Sequence, residues 1–222
     1  MEEHNLAMDV SIDTLPNELL AACFAELSVV SLGRVSRTSK HWHCVAESPL
    51  AQFEFQRNAA VVANLVDPHW ERRQVAVERL CKSNSNALAL QAANIVAKLE
   101  HTNKDVRRAV VEVLENLDTA TLERHAATIT SKLDDSDPYV RKGLLQTLGS
   151  LEAPSLFLHA SAIVTKLEDS APIVRRAAVV TLGNLDAASL ATFSTTIAAK
   201  LEDSVPYVRN AALQTLGKLV AA

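Results

Sequence analysis

Two histidines are the side chains best spaced in this sequence to share a metal ion, because His125 and His159 lie 34 residues apart. Imidazole nitrogens are common zinc ligands, but a zinc site needs at least a third protein ligand. The positions one period before and after these histidines hold Gln91 and Phe193, which supply no obvious further ligand. We therefore interpret the two histidines as residues of a helix surface and predict no metal site.

The other reactive residues form no catalytic pattern. The three cysteines, Cys23, Cys44 and Cys81, are odd in number and lack C-x-x-C spacing. This favours buried thiols in a reducing compartment over disulfides or a zinc site. No G-x-S-x-G, glycine-rich phosphate loop or H-E-x-x-H sequence occurs. We predict no catalytic residues, no cofactor and a protein that is not an enzyme.

Composition argues against two classes of partner. The chain has 222 residues, a net charge of −4 and no long run of Lys and Arg, which disfavours nucleic acid binding. The first residues are polar and acidic, and no apolar segment of signal-peptide or membrane-spanning length follows them. We expect a cytoplasmic or nuclear protein that does not bind a membrane.

A 34-residue sequence repeats along most of the chain. The most regular part of each unit begins with Lys-Leu-Glu or Lys-Leu-Asp and ends in Val-Arg, at residues 98–107, 132–141, 166–175 and 200–209, and a weaker copy begins at Asn64. Each unit holds two apolar segments with helical spacing. A proline is predicted in the first turn of the second helix, preceded by an N-cap Thr or Ser. The prolines are Pro138, Pro172 and Pro206, and the predicted caps are Thr102, Ser136, Ser170 and Ser204. A period of this length predicts stacked helical hairpins.

An Asp followed six residues later by an Arg marks four of the five units. The pairs are Asp67 and Arg73, Asp135 and Arg141, Asp169 and Arg175, and Asp203 and Arg209. With small residues inside the second helix and proline before it, this pattern resembles the HEAT repeat rather than the tetratricopeptide repeat. The resemblance implies that Asp and Arg link neighbouring units. His101 replaces the Asp before Arg107, so we expect a weaker link there.

The segment before the repeats follows a different pattern. Pro16 can open a helix, and Leu19, Leu20 and Phe24 line one of its faces. From Leu15-Pro16 through Lys40-His41-Trp42, the spacing resembles the F-box, although Cys23 and Thr38 stand where that family has aliphatic residues.

The F-box resemblance implies a partner. In that family the hairpin docks on the Skp-type adaptor of a cullin-RING ubiquitin ligase, and the rest of the chain holds the substrate. Carried over by position, the adaptor contact comprises Leu15, Pro16, Leu19, Leu20, Phe24, Leu32 and Val35. The alternative for this segment is a helical cap that covers the open end of the repeats.

These patterns together predict an all-α protein of three parts. Residues 1–10 form a tail, residues 11–55 a short F-box-like helical hairpin, and residues 56–222 a right-handed α-solenoid of about five HEAT-like repeats. A client protein or peptide is expected on solvent-facing positions of the second helices. The predicted contacts are Tyr139, Lys142, Ile173, Arg176, Val180 and Tyr207. A semi-apolar row beside a Lys/Arg row suits an extended acidic or mixed peptide, although an ordinary solvated helix face has the same composition.

Function follows from the two resemblances. They predict a substrate-recognition adaptor of a Skp-cullin-F-box type ubiquitin ligase. A non-enzymatic HEAT-repeat scaffold without a ubiquitin role is the main alternative. Phycobilin lyases, whose short HEAT-like units share a V-R-x(3)-A pattern with this chain, are a less favoured one.

Overall fold

The structure is a computed structural model that describes residues 58–83 and 85–220. The predicted tail and F-box-like hairpin lie outside the described residues, as do all seven predicted adaptor contacts. Those contacts are Leu15, Pro16, Leu19, Leu20, Phe24, Leu32 and Val35.

The described residues form helices and turns without any strand, which confirms the all-α prediction. The helices are α1 (58–63), α2 (Trp70–Cys81), α3 (Ser85–Ala89), α4 (Ala92–Ala97), α5 (Lys104–Leu114), α6 (Thr119–Ser131), α7 (Pro138–Leu148), α8 (Ala153–Thr165), α9 (Pro172–Leu182), α10 (Ala187–Ala191), α11 (Ser194–Ala198) and α12 (Pro206–Val220). They group into five units, whose second helices are α2, α5, α7, α9 and α12. Consecutive second helices pack directly against each other, as expected of a helical solenoid.

The first helix is continuous in units three and four and divided in units two and five. Gln91 N–H donates to Leu88 O, and Phe193 N–H donates to Leu190 O. The backbone therefore makes a tight turn, closed by a hydrogen bond between residues three apart, where each of these two helices is divided. These two positions correspond to His125 and His159, which continue their helices without a break.

The second helices begin where proline predicted, but their caps lie elsewhere. Helices α7, α9 and α12 start at Pro138, Pro172 and Pro206, where the missing N–H costs little. The predicted caps Thr102, Ser136, Ser170 and Ser204 are not the N-caps of these helices. In units two and three the N-cap is the residue directly after the predicted one. The side chain of Asn103 accepts the N–H of Asp105, and that of Asp137 accepts the N–H groups of Tyr139 and Val140.

One apolar core runs through all five units. A fully buried valine recurs in each of the last four second helices, and the first three of these valines belong to this core together with leucine and isoleucine of the first helices. These valines are Val106, Val140, Val174 and Val208. Burial of each such side chain contributes about 1.5–3 kcal/mol, so apolar contact is the main force that stacks the units.

Glycine has different roles in different units. Gly149 and Gly183 directly follow α7 and α9, as expected of residues that end a helix. Gly217 instead lies inside α12, which continues to Val220. A Cβ atom built on Gly143 would lie 2.2 Å from Val111 Cγ1, whereas one on Gly217 would meet nothing within 4 Å. Gly143 therefore permits a close approach of α5 and α7.

Candidate client-binding face and the polar ladders that align it

A ladder of arginine–aspartate pairs joins consecutive units. Arg107 donates from Nε to Asp135 Oδ2 at 2.6 Å and from Nη2 to Asp135 Oδ1 at 2.8 Å. The same two-pronged contact joins Arg141 to Asp169 and Arg175 to Asp203, with distances of 2.7–2.8 Å. At most 13% of any of these side chains is exposed. Paired charges with two parallel hydrogen bonds fix the orientation of one unit on the next.

Each ladder arginine also holds its own turn. Its remaining nitrogen, Nη1, donates to the backbone carbonyl six residues earlier, as Arg141 does to Asp135 O at 2.7 Å. Arg73 and Arg209, which occupy the same position in the first and last units, make this bond as well. The resemblance to HEAT repeats therefore gave the correct structural role for these residues.

Two carboxylates of the ladder, Asp169 and Asp203, have a lowered pKa, which favours their charged form. The hydrogen bond from Arg175 lowers the pKa of Asp203 to about 2. Burial pushes the pKa of Asp169 upward, but the hydrogen bonds from Arg141 and from the Ala171 N–H outweigh it and the pKa is lowered. These pairs therefore stay ionised at neutral pH.

The weaker link predicted at His101 and Arg107 lies between units one and two, and not between units two and three. Arg107 pairs fully with Asp135, as in the other units. His101 Nδ1 accepts the N–H of Asn103 at 3.1 Å, so the histidine replaces aspartate within the turn. It does not replace aspartate as a partner for Arg73, whose Nη2 reaches only Asp105, at 4.0 Å. The incomplete junction is the one between units one and two.

A second ladder, of lysine and acidic residues, has the same gap. Lys200 Nζ lies 2.7 Å from Glu168 Oε1 of the preceding unit. The equivalent pairs are Lys132 with Glu100 and Lys166 with Asp134. At the first junction the position one period before Glu100 is Val66, which offers Lys98 no carboxylate. Both ladders are thus missing between units one and two. The polar contacts that remain there are the long Arg73–Asp105 ion pair and the bonds of the Cys81 thiol with Glu112 O and Asn116 Nδ2, so apolar contact has a larger share at this junction.

The predicted client residues fall into three groups in the structure. Tyr139, Val180 and Tyr207 are exposed, at 58%, 44% and 42% of their surfaces, and Arg176 is exposed as well. Lys142 is half-buried. Ile173 is half-buried and packs against the core, so it offers less free surface than the sequence suggested.

A shallow groove between α5 and α7 brings two of these residues together. It has a volume of about 260 Å³. It is lined by Arg108, Val111, Glu112, Glu115, Tyr139, Lys142, Gly143 and Gln146. Of these eight lining residues, only Tyr139 and Lys142 were among the predicted contacts. The available signal was that Gly143 stands where neighbouring units have Ala109 and Ala177.

One side of the groove is a neutralised arginine on an aromatic ring. Arg108 donates to both carboxylate oxygens of Asp137, at 2.9 and 2.6 Å, and its guanidinium carbon lies 4.8 Å from the centre of the Tyr139 ring. Hydrogen bonding to Asp137 raises the pKa of Arg108 and keeps it charged. The pair therefore presents a fixed aromatic surface with little net charge.

The other side of the groove is acidic. Glu112 and Glu115 face Lys142, so two carboxylates are opposed by one ammonium group. Burial raises the pKa of Glu115, although Lys142 acts in the opposite direction. Because Arg108 is already paired, the groove carries an excess of negative charge. It suits a cationic side chain with an apolar stem better than it suits an acidic one.

The two histidines lie apart from this groove, on the first helices. His159 Nδ1 is 3.1 Å from Thr130 Oγ1, and burial lowers the pKa of His125. Across residues 58–83 and 85–220, no three His, Cys, Asp or Glu side chains are grouped to hold a metal ion. Among the same residues, no helix is both long and apolar enough to cross a bilayer.

Two protein families match parts of the sequence. The F-box-like family matches residues 12–52. The family described as a HEAT repeat associated with sister chromatid cohesion matches residues 161–182 and 183–216. The chain carries an F-box-like domain and HEAT repeats. Both predicted resemblances are thereby confirmed.

Solved structures share the fold of the HEAT repeats at low sequence identity. One is the CpcE–CpcF complex of phycocyanin lyase from Nostoc sp. PCC7120, with a TM-score of 0.59 and 16% identity over 71% of this chain and 96% of that one. A computationally designed armadillo repeat protein for modular peptide recognition has a TM-score of 0.56 and 15% identity over 84% and 97%. The Pds5–Scc1 complex has a TM-score of 0.52 and 14% identity over 91% of this chain and 36% of that one. No curated protein sequence matches the chain.

Proposed function

We propose that this protein is a substrate-recognition adaptor of a Skp-cullin-F-box type ubiquitin ligase. The observation that carries the proposal is the presence of an F-box-like domain and HEAT repeats in one chain. The F-box-like domain supplies the contact with a Skp-type adaptor, through Leu15, Pro16, Leu19, Leu20, Phe24, Leu32 and Val35. The HEAT repeats supply an arm that holds a protein client, and the chain itself catalyses no reaction.

The client site in this proposal is the exposed face of the second helices, with the groove at Tyr139 as its best-formed part. Tyr139 offers an aromatic surface already oriented by Arg108, so little entropy is lost when a client packs on it. Glu112 and Glu115 give that contact a charge preference. A basic or aromatic client segment in extended form fits this chemistry, continuing toward Arg176 and Tyr207 on later units.

Co-purification with a purified Skp-type adaptor tests the ligase role. The full-length protein is expected to bind the adaptor, and Leu15→Ala with Pro16→Ala is expected to abolish binding. Leu158→Ala is a matched control, because Leu158 is 78% exposed on α8, within the HEAT repeats. Failure of the wild type to bind, or retention of binding by the double variant, would remove the ubiquitin role and leave a HEAT-repeat scaffold.

A lyase-like activity is the second candidate, and the fold shared with the CpcE–CpcF complex is the observation that favours it. At 16% identity this likeness supports the fold alone. Titration of the protein with a free bilin separates the two candidates. An adaptor leaves the visible absorbance of the bilin unchanged, whereas a bilin-binding protein shifts and sharpens it.

A further inference from the structure

Units two to four each complete a junction of which unit five, within the described residues, presents only one half. Arg209 Nη1 donates to Asp203 O at 2.7 Å and Ser204 O at 3.1 Å, and the first of these two bonds has an equivalent in each of the other four units. In Arg107, Arg141 and Arg175 the other two nitrogens, Nε and Nη2, hold an aspartate of the following unit. The same two nitrogens of Arg209 have no acceptor among the described residues, so a preoriented guanidinium edge faces outward.

The acidic side of the second ladder is open at the same place. Glu100, Asp134 and Glu168 each pair with a lysine of the following unit. Their equivalent in unit five is Glu202, which pairs with no cation in the part of the chain that the structure describes. One free positive group and one free negative group therefore lie on the same end face.

An apolar position of the repeat pattern is open in unit five as well. Leu213 is 63% exposed, whereas its equivalents Leu145 and Val179 are fully buried against the next second helix. Leu216 and Leu219 of the same helix are only half-buried. An isolated exposed leucine is unremarkable, but here it stands where three earlier units bury an aliphatic side chain.

We propose that this face of unit five docks one helical hairpin of a partner protein, a surface separate from the groove at Tyr139. The chemistry of the hairpin follows from the internal junctions: a Lys for Glu202, an Asp three residues later for Arg209, and an aliphatic second helix for Leu213. The sequence Lys-Leu-x-Asp, in the turn between the two helices of the hairpin, supplies both of these charged groups. A second copy of this chain is a poorer occupant, because its first unit has Asn64 in place of the lysine and its Asp67 already pairs with Arg72.

The test uses the full-length protein and a designed probe. The probe is a fluorescent tandem of three copies of residues 187–220, in which the last copy carries Leu213→Asp so that probes cannot stack on each other. The matched control probe carries Lys200→Ala and Asp203→His in its first copy. Histidine is chosen because His101 keeps the turn bond to Asn103 yet does not pair with Arg73. Circular dichroism checks that both probes are helical.

Saturable binding of the probe, measured by fluorescence anisotropy, is the expected result, and the control probe is expected to bind about tenfold or more weakly. Leu213→Asp in the full-length protein is expected to abolish binding, whereas Leu158→Asp, on another exposed leucine, leaves it unchanged. The proposal is overturned if the probe does not bind, or if it binds Leu213→Asp as well as wild type. Self-association that depends on Leu213 in sedimentation velocity would also overturn it, since a second copy would then be the occupant.

Discussion

Arg175 holds Asp203 of the next unit by two parallel hydrogen bonds while its third nitrogen ties down its own turn. One side chain thus connects the interior of a unit to the interface with its neighbour. The pair is nearly buried, so removal of either partner leaves an uncompensated charge.

Acid is expected to weaken the junction between units four and five. The pKa of Asp203 is lowered from 3.8 to about 2, so its contribution to folding is complete above pH 4 and is lost as pH falls through 2. We expect the urea-unfolding free energy to fall over this range by about 1–2 kcal/mol on account of this group. Asp203→Asn should flatten that part of the profile. Glu202→Gln, at an unpaired carboxylate, should keep the wild-type slope, and equal flattening by both variants would contradict the assignment.

The gap between units one and two can be filled by one substitution. His101→Asp places a carboxylate where Arg73 lacks one, while the turn keeps an acceptor for the Asn103 N–H. We expect the variant to unfold at higher urea, with a gain of about 1 kcal/mol. Repetition in Arg73→Lys provides the control, because lysine cannot make the two-pronged contact. A gain of the same size in that background would show that the stabilisation comes from elsewhere.

Two glycines of the second helices are expected to respond in opposite ways to alanine. Gly143→Ala forces a methyl group into Val111 across the α5–α7 contact and should cost about 1–3 kcal/mol. Gly217→Ala adds a methyl group in open space within a helix and should stabilise by about 0.5–1 kcal/mol. Thermal unfolding measures both. A neutral Gly143→Ala would mean that the two helices can separate without loss, and the groove would then not depend on their close approach.

The charge of the groove predicts the charge of its ligand. Selection of a random peptide library on the full-length protein should enrich Lys or Arg next to an aromatic residue, because Glu112 and Glu115 outnumber Lys142. Glu112→Lys with Glu115→Lys should shift the enriched peptides toward Asp and Glu, and Tyr139→Ala should reduce recovery of both kinds. Arg124→Glu changes the charge of an exposed residue on α6 and is the control. Enrichment of acidic peptides by the wild type would contradict this interpretation of the groove.

The repeat period predicted the five units and, with the prolines, the start of each proline-led second helix. The resemblance to HEAT repeats implied that Asp and Arg link neighbouring units. It misplaced the weak junction, because the motif pairs Asp135 with Arg141 along the chain whereas the interface pairs Asp135 with Arg107. Which arginine pairs with Asp135 depends on how the units stack, and the sequence of a single unit does not contain that information. The groove was only half predicted for the same reason. Tyr139 and Lys142 are recognisable as exposed positions, but Gly143 matters only through its distance from Val111 on another helix.

The first junction has a mechanical consequence. Apolar side chains in contact allow small rotations at little cost, whereas a two-pronged ion pair allows almost none. Because neither ladder crosses from unit one to unit two, we expect bending of the arm to concentrate at that junction. Units two to five are expected to move as one rigid body. In a ligase adaptor of the kind proposed, rotation at this junction would change the position of a bound client relative to the ubiquitin-transferring subunits of the ligase. Several lysines of one client would then come within reach.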